Sequence, residues 1–414
     1  MTKEIVTGLD IGGTKVCAVV GHIVPEKNVV EVIGYGCVPS HGLRKGVVVD
    51  IEETVSAISA TLEEAERMAG VPVDNAFIGV DSASIQSQNS KGVIAVAKSD
   101  GEISQDDVAR VIEAARAVSV PANREILHVI PRSYKVDDQD GVHDPIGMTG
   151  VRLEVEAHVI TASTPSIKNL TKCVYQAGLD IDELILGVLA SSKAVLSKDQ
   201  KEIGVVVVDI GYGTTGVALY EEGNVLHSTV LPIGSLHVTN DIAIGLRTSI
   251  EVAEKVKINE GCAIPSLIPE RERIDLKNYG VVDGMFISKR EVAEIIEARM
   301  LEIFGMVNDE LRKVGRDGML PAGVVVTGGG SKLSGVIDLA KESLRLPAQM
   351  GLPINVSGMV ENISNDARMV AAVGLMQWGM ESIMKGETNF VAGATKSKSD
   401  SWGKVKDWFG QFLP

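Results

Sequence analysis

The sequence contains few of the residues that exported and metal-binding proteins depend on. Only four of its 414 residues are cysteine, at positions 17, 37, 173 and 262, and no two of them form a CxxC pair. Scattered cysteines fit a reducing compartment and predict no cysteine-ligated metal site. No run of about eighteen apolar residues occurs, so we expect no membrane-spanning helix. The opening MTKEI lacks the apolar core of a secretory signal, so we expect no export by that route.

Positive charge is also scarce. The chain carries 40 Lys and Arg against 55 Asp and Glu, which gives a net charge of −15 and argues against a nucleic-acid-binding protein. Its 45% hydrophobic and 23% charged residues are ordinary for a globular protein. A chain of 414 residues is long enough for two or three domains.

The most informative motif covers residues 205–220, with the sequence VVVVDIGYGTTGVALY. Four valines predict a buried strand, and the small residues after them predict a tight turn into a second strand. Glycine lets backbone N–H groups approach an anion closely, and threonine adds a hydroxyl donor. We therefore predict a phosphate-binding loop, although an ordinary glycine-rich hairpin is the alternative. The predicted loop residues are Gly211, Tyr212, Gly213, Thr214 and Thr215.

A second copy of this motif occurs near the N-terminus, where residues 7–21 read TGLDIGGTKVCAVVG. Strand, aspartate, small turn, threonine and second strand repeat in the same order, which indicates two related halves. Two such hairpins facing each other would hold a polyphosphate from both sides. The first loop supplies Gly12, Gly13, Thr14 and Lys15, and the lysine can reach a phosphate as a point charge unless it is a solvated strand residue.

Each hairpin places an aspartate at the end of its first strand. Asp10 and Asp209 would repel a phosphate that touched them directly. We therefore expect both to hold a hydrated Mg²⁺ ion.

Two further segments are expected near the sugar and phosphates. The turn LPIGS at 231–235 contains Gly234, and we expect the next helix to begin near Asp241, capped by Thr239 or Asn240. A predicted helix at 249–258 carries Glu254 and Lys257 on one face. These two side chains can hydrogen-bond a ribose and a base, or form a simple surface ion pair.

The segment VVVTGGGS at 324–331 predicts a buried strand that enters three glycines. A nucleoside can lie flat on such a backbone because no Cβ is in the way. We therefore assign Gly328, Gly329, Gly330 and Lys332 to adenosine binding.

Residues 83–163 differ in texture from the rest and are interpreted as containing an inserted module. Short polar strands accompany a helix near 104–118 that Ser104 is expected to cap. His128, His143 and His158 are spread too widely to suggest a metal site, so we interpret them as structural or solvated.

Together these motifs resemble the actin, sugar-kinase and heat-shock-chaperone ATPase superfamily, and within it the FtsA family of bacterial cell-division proteins. Supporting phrases are VIPRSYKV at 129–136, GMTGVRL at 147–153, LASSKAVL at 189–196 and AVGL at 372–375. The resemblance covers nearly the whole chain. It implies an α/β, actin-like ATPase fold of two related halves around a nucleotide cleft, with an inserted α+β module and a C-terminal amphipathic helix.

The same resemblance suggests domain boundaries. The first half takes 1–82 and 157–203, with part of 360–385, and the inserted FtsA-type module takes 83–156. The second half takes 204–359. A flexible linker is expected at 386–400, followed by a membrane-targeting helix at 401–414.

FtsA-like proteins bind ATP with Mg²⁺, polymerise head to tail, and dock the C-terminal peptide of the tubulin-like protein FtsZ. The resemblance therefore implies a peripheral protein on the cytoplasmic face of the cell membrane, which tethers FtsZ filaments at the division septum. It also implies recruitment of other division proteins through the inserted module. By resemblance, the docking cations are Lys289, Arg290 and Arg299 on a predicted helix at 288–314, although a solvated helix face is the alternative.

Two residues depart from the family pattern. Tyr212 stands where the family commonly has glycine, and we expect it to allow the turn if its φ is negative. Gly216 stands where the family often has an acidic residue. Residues 187–192 also contain no Gln, Glu or Asp that could orient an attacking water. We therefore expect ATP binding with at most slow hydrolysis.

Aromatic residues make up only 4% of the chain, yet they concentrate at its end. Two of the three tryptophans and two of the six phenylalanines lie in residues 401–414, SWGKVKDWFGQFLP. Helical spacing places the apolar residues on one face and Lys404 and Lys406 elsewhere, which favours a membrane-surface helix whose weak binding gains avidity from polymerisation. The alternative is a helix that packs back onto the body or onto a partner. The residues expected to enter the membrane are Trp402, Val405, Trp408, Phe409, Phe412 and Leu413.

Two other functions stay open at this point. A pilus-assembly-type actin-like adaptor would share the inserted module but would generally lack the amphipathic tail. A sugar kinase is suggested by LDIGGTK at 9–15, which resembles the opening of bacterial glucokinases. That class needs a catalytic aspartate in a sugar cleft, and many members add a cysteine-rich zinc site that this sequence lacks.

Overall fold

A computed structural model describes residues 4–24, 29–98, 100–281, 285–358 and 363–384. The predicted linker at 386–400, the predicted helix at 401–414 and its six apolar residues lie outside these ranges. No helix in the described ranges is long and apolar enough to cross a membrane.

The elements follow one another in two halves with a module between parts of the first. The first stretch contains β1 (Ile5–Ile11), β2 (Lys15–Val24), β3 (Val29–Pro39), β4 (Leu43–Arg44), β5 (Val47–Val48), α1 (Ile51–Ala69) and β6 (Asn75–Val80). The next contains β7 (Gln86–Ala95), α2 (Gln105–Arg116), β8 (Arg124–Val136), β9 (Gln139–Val142), β10 (Arg152–Ser163), α3 (Thr164–Gln176), β11 (Asp180–Leu186), α4 (Gly187–Val195) and α5 (Lys198–Ile203). The last contains β12 (Val205–Ile210), β13 (Thr215–Glu221), β14 (Asn224–Leu231), α6 (Ser235–Leu246), α7 (Ile250–Glu260), β15 (Arg273–Asp275), β16 (Phe286–Ser288), α8 (Lys289–Lys313), β17 (Val324–Thr327), α9 (Val336–Leu344), β18 (Ala348–Met350), β19 (Val356–Gly358) and α10 (Val370–Met384).

The two halves repeat one sheet topology. In the first, β1 pairs antiparallel with β2 and parallel with β6. In the second, β12 pairs antiparallel with β13 and parallel with β17. The orders β11-β6-β1-β2-β3 and β18-β17-β12-β13-β14 therefore match strand by strand. The two related halves predicted from the repeated hairpins are confirmed.

The run of valines in β12 reflects burial on both faces of the sheet. Val205 and Val207 join the core shared with the first half, whereas Val206 and Val208 join the core of the second half. All four side chains have no exposed surface. Successive residues of a strand point to opposite faces, so a sheet covered on both sides needs an unbroken apolar run.

The inserted module has its own four-stranded sheet, in the order β7-β10-β8-β9, and its own apolar core. Ser104 caps α2 through a capping box with Asp107, as predicted. Strand β10 runs without a break from the module towards α3. His143 is exposed, whereas His158 is buried and hydrogen-bonds Asn89 and Ser228. His128 is also buried, and its Nε2 accepts from the backbone N–H of residue 186.

One predicted helix start is wrong. The helix after the LPIGS turn begins at Ser235, six positions before Asp241, and neither Thr239 nor Asn240 caps it. The N–H groups of Ser235 and Leu236 donate to backbone carbonyls of the second phosphate loop, at 2.9 and 2.8 Å. The His237 Nδ1 atom accepts from the N–H of Gly234 at 3.1 Å. Since these contacts satisfy the first turn, α6 can begin directly after Gly234 without Thr239 or Asn240 as a cap.

The cysteines divide into a joined pair and two single thiols. Cys17 on β2 lies opposite Cys37 on β3, and the two form a disulfide. Cys173 and Cys262 are free and buried. The spacing of 20 residues does not by itself predict this pairing, because the two cysteines meet only through the register of β2 and β3.

Candidate nucleotide-binding site

A cavity of about 790 Å³ lies between the two halves. Ligand pockets in proteins commonly measure about 300–1,000 Å³, so a nucleotide is of suitable size. The loop after β1 and the loop after β12 both line this cavity, which brings the two predicted phosphate loops together.

The first loop turns tightly between β1 and β2. The N–H of Gly12 donates to the carbonyl of Lys15 at 2.9 Å, and Gly13 and Thr14 complete the turn along the cavity wall. The ammonium of Lys15 donates to the backbone carbonyl of Arg368. Burial lowers the pKa of Lys15 to about 8, against the opposing effect of the Asp10 carboxylate.

The second loop repeats the same closing hydrogen bond. The N–H of Gly211 donates to the carbonyl of Thr214 at 2.9 Å. Gly211, Gly213 and Thr214 line the cavity, but Thr215 does not. The Thr215 hydroxyl is buried and donates to the Ile233 carbonyl at 2.8 Å, so it is committed to holding the hairpin in shape.

Gly234 supports the second loop from behind and does not itself line the cavity. A Cβ at this position would lie 2.7 Å from the carbonyl oxygens of both Gly211 and Tyr212. Only glycine therefore lets the start of α6 close against the loop.

Tyr212 joins the two phosphate loops. The φ angle of Tyr212 is not positive, so this residue allows the turn, as the sequence analysis required. A Cβ on Gly13 would lie 3.3 Å from the Tyr212 Cδ1 atom, which places the tyrosine ring against the first loop. The tyrosine side chain therefore lies between the two loops and makes a contact across the cleft.

Three aspartate carboxylates face the cavity, from Asp10, Asp81 and Asp209. Burial raises the pKa of Asp10 to about 6, and the neighbouring Asp209 adds to this rise while Lys15 opposes it. Burial and the other two carboxylates raise the pKa of Asp81 well above its usual range. Burial also raises the pKa of Asp209, against a 2.5 Å hydrogen bond from the Ser191 hydroxyl. Three acids that oppose one another's ionisation form a site that a cation would stabilise.

The carboxylates fit a hydrated Mg²⁺ ion. Their hard oxygen atoms are the ligands that this ion prefers, and Mg²⁺ usually keeps several of its waters. Among the described residues, no group of three or more His, Cys, Asp or Glu is placed to hold a metal directly.

Asp81 was missed by the sequence reading. It follows the buried strand β6, which runs parallel to β1, so its carboxylate reaches the same end of the sheet as Asp10. A Cβ on Gly187 would lie 1.9 Å from the Asp81 carboxylate, so a larger residue at the start of α4 would displace this carboxylate from its position. The signal that could have found Asp81 is the one used for the other two: an acid at the end of a buried strand.

Glu254 and Lys257 form part of a polar cluster in the cavity wall. Lys257 is only 7% exposed, and its ammonium donates to Glu254 at 2.7 Å and to the Thr239 hydroxyl at 2.8 Å. Thr239 donates in turn to Glu254. Burial lowers the pKa of Lys257, and Glu254 opposes this shift. The surface ion pair considered as an alternative is wrong, because Lys257 is buried.

The triple glycine closes the site next to Asp209. Gly328 has a φ of +80°, and a Cβ there would lie 2.2 Å from the Asp209 Oδ1 atom. Gly329, Gly330 and Lys332 also line the cavity. The Lys332 ammonium pairs with Asp366 at 3.3 Å. These residues meet on the same cavity as the two loops, as their assignment requires.

Gly216 is explained by packing between β13 and α4. A Cβ at this position would lie 2.7 Å from the Cβ of Val188. The acidic residue that the resemblance leads us to expect at this position would therefore collide with Val188 on α4.

The three predicted docking cations are already paired. Lys289 contacts Glu260 and Glu272 at 3.0 and 2.8 Å. Arg290 contacts Glu270 at 3.3 Å.

Arg299 binds both carboxylate oxygens of Asp241, at 2.6 and 3.0 Å, and so ties α8 to α6. Nothing in these contacts tests peptide docking by the three cations, which stays a prediction.

Solved structures with similar folds support the architecture. A structure of the PilM-PilN type IV pilus biogenesis complex matches with a TM-score of 0.66 at 18% identity, covering 91% of this chain and 98% of that chain. MreB 5 of Spiroplasma citri bound to AMPPNP matches with a TM-score of 0.53 at 14% identity, covering 90% and 95%. At these identities the likeness establishes the actin-like fold alone.

Sequence comparisons identify the family. The model described as the SHS2 domain inserted in FtsA matches residues 82–161, and that of cell division protein FtsA matches residues 206–374. Cell division protein FtsA of Pseudomonas aeruginosa is 41% identical over 397 residues, covering 96% of this chain and 94% of the relative. The Escherichia coli K12 relative is 34% identical over 413 residues, covering 98% and 97%. This chain therefore belongs to the FtsA family of cell division proteins.

Proposed function

We propose that this protein binds ATP with a hydrated Mg²⁺ ion between its two halves and hydrolyses it slowly at most. The observation that carries the proposal is the matched pair of predicted phosphate loops, each closed by the same backbone hydrogen bond, which face one cavity together with three aspartates. An MreB that shares the fold has been solved with the ATP analogue AMPPNP, which supports the choice of ligand.

The side chains divide the work by position. Backbone N–H groups of the two glycine loops and the Thr14 and Thr214 side chains hold the phosphates, while Lys15 and Lys332 supply positive charge. Asp10, Asp81 and Asp209 would hold the hydrated ion, which neutralises phosphate charge when bound. Glu254 and Lys257 present oxygen and nitrogen to the ribose and base. The triple glycine leaves room for the nucleoside.

ATP binding is tested by titration calorimetry with and without Mg²⁺. We expect Mg²⁺-dependent binding by the unaltered chain and at least tenfold weaker binding by Asp209→Asn. Asp338→Asn is the matched control, because Asp338 is exposed on α9 and does not line the cavity. Equal affinity for all three chains would contradict the assignment of the cavity.

We further propose that the protein polymerises head to tail, docks the C-terminal peptide of FtsZ, and tethers FtsZ filaments to the cytoplasmic face of the membrane at the septum, helping to recruit other division proteins. Family membership supports the division role, and the tryptophan-rich segment 401–414 supports the membrane role. An amphipathic helix of fourteen residues binds weakly, so a filament would supply the avidity.

Vesicle co-sedimentation tests the membrane role. The full chain and a chain ending at Ser399 are compared on anionic vesicles, with and without ATP. We expect only the full chain to pellet, and ATP to strengthen its binding. If both chains stay in solution, residues 401–414 are not a membrane anchor, and the proposed membrane role is wrong.

A further inference from the structure

A second cavity of about 630 Å³ lies where the module, both halves and the last helix meet. It shares no lining residue with the nucleotide cavity. We call it the junction cavity. Its apolar wall is formed by Pro131, Tyr134, Leu189, Tyr220, Val225 and Trp378. Because its residues come from every part of the described fold, an occupant would hold the module against both halves at once.

Some charged side chains around the junction cavity form ion pairs within the described part of the chain, and others do not. Glu202 and Glu222 are exposed at its edge, and neither has an ion-pair partner among the described residues. The ammonium of Lys201 lies 5.0 Å from the centre of the Tyr220 ring. No carboxylate among the residues that the structure describes forms an ion pair with it. Lys193, by contrast, pairs with Glu381 across the cavity. A matching occupant would combine an apolar face with two positive charges and one negative charge.

The last described helix leads directly from this cavity. Three residues of α10 line it, namely Trp378, Glu381 and Ser382, and α10 ends two positions later at Met384. Residues 385–400 follow and could span up to about 55 Å if fully extended, which is ample for a return to the cavity.

We propose that residues 401–414 dock in the junction cavity when no membrane is available. The apolar face of this segment, centred on Trp402, Trp408 and Phe412, matches the aromatic and aliphatic wall. Lys404 and Lys406 match Glu202 and Glu222, and Asp407 matches Lys201. This inference rests on the proposed membrane role, since it gives the same segment a second resting place on the protein.

Docking would lower the apparent affinity for membranes. A segment that is available for only a fraction of the time binds with an affinity reduced by that fraction. Vesicles and the junction cavity would compete for the same apolar face, and membrane binding would free the module from the last segment. The two interpretations of the tail, membrane anchor and packed helix, then describe two states of one protein.

Chemical crosslinking of the full chain tests the contact. Cysteines are placed at Glu202→Cys and Val405→Cys and treated with a short bismaleimide, while the native cysteines are buried or joined. We expect a crosslink within one chain that anionic vesicles reduce at least threefold. The matched control pairs Val405→Cys with Glu342→Cys, which is exposed on α9 and does not line the cavity. Equal yields for the two pairs, no crosslink, or a crosslink only between chains would overturn the proposal.

Vesicle affinity provides the second measurement. The double variant Glu202→Lys, Glu222→Lys should bind anionic vesicles at least threefold more tightly than the control Asp338→Lys, Glu342→Lys, which makes the same change in net charge. Equal binding would overturn docking. If the full chain binds vesicles but the crosslink fails, the docking inference alone is wrong. If the full chain does not bind vesicles, the membrane role is wrong as well.

Discussion

The carboxylates of Asp10, Asp81 and Asp209 face one cavity from three different strands, and they differ in how visible they are in the sequence. Asp10 and Asp209 belong to repeated motifs, so the sequence predicted both. Asp81 follows β6 without a glycine loop, and only the parallel pairing of β6 with β1 brings it to the same end of the sheet. A site residue that only strand pairing brings to the cavity is harder to predict from sequence than one that lies inside a repeated motif.

Replacing Asp10 should stabilise the nucleotide-free protein. Its raised pKa of about 6 means that the folded state resists ionisation, so this group costs stability as pH rises from about 4 through 6. Asp10→Asn removes that cost, and we expect a gain on the order of 2 kcal/mol at pH 8 that vanishes near pH 4. Denaturant unfolding at both pH values checks the sign. A loss of stability at pH 8 in Asp10→Asn would contradict the conclusion that the ionised Asp10 side chain destabilises the folded state.

Gly216 offers a second test at a single position. Gly216→Ala would place a methyl group against Val188 and should destabilise the fold by about 1–3 kcal/mol. Val188→Ala in the same chain should restore part of the loss, because it makes room for the methyl group. Gly305→Ala on α8 is the control, since a Cβ there meets nothing within 4 Å and alanine favours a helix. Unfolding midpoints of these chains and of Val188→Ala alone measure the coupling, and a double variant no more stable than the sum of the two single losses predicts would contradict the contact.

At the scale of elements, tertiary contacts decided where helices begin. The sequence predicted α8 correctly, and the cap of this helix is local. The side chain of the N-cap residue Ser288 accepts from the N–H of Glu291, three positions along the chain. The start of α6 was misplaced because its first turn is satisfied by the second phosphate loop, which no local pattern reveals. Local capping is readable from sequence, whereas capping by another loop requires the fold.

Arg290 is the sharpest test of peptide docking on α8. It is more exposed than Arg299, whose bidentate pair with Asp241 ties two helices together. We expect Arg290→Glu to weaken binding of the FtsZ C-terminal peptide about fivefold without changing the unfolding midpoint. Arg312→Glu, near the other end of the same helix, is the control. Fluorescence anisotropy of a labelled peptide measures both, and unchanged affinity in Arg290→Glu would remove this residue from the site.

The tail segment can be tested as an element in its own right. Trp408→Lys places a charge on the predicted apolar face and should reduce vesicle binding at least tenfold, because an indole group favours the headgroup boundary and an ammonium does not. Gln411→Lys adds the same charge to the polar face and should leave binding unchanged or slightly stronger. Similar losses in both variants would mean that the segment is not an amphipathic membrane helix.

At the scale of the whole molecule, the ligand is expected to bridge the two halves. ATP that binds only the folded state stabilises it by mass action, by about 2.7 kcal/mol at a concentration of 100 times Kd. We expect Mg²⁺ and ATP together to raise the unfolding midpoint more than either alone. A rise that is the same without Mg²⁺ would argue against the role given to the three aspartates.

The sequence by itself determined the two hairpins, the repeat between the halves, the glycine loops and the family. These features depend on local backbone chemistry and on strand and helix periodicity, both of which a linear pattern records. The tertiary structure alone decided that Asp81 joins the site, that Thr215 and Gly234 support it from outside, that Tyr212 bridges the loops and that a second cavity forms at the base of α10. Each of these depends on residues far apart in the chain that meet only when sheets pair and pack.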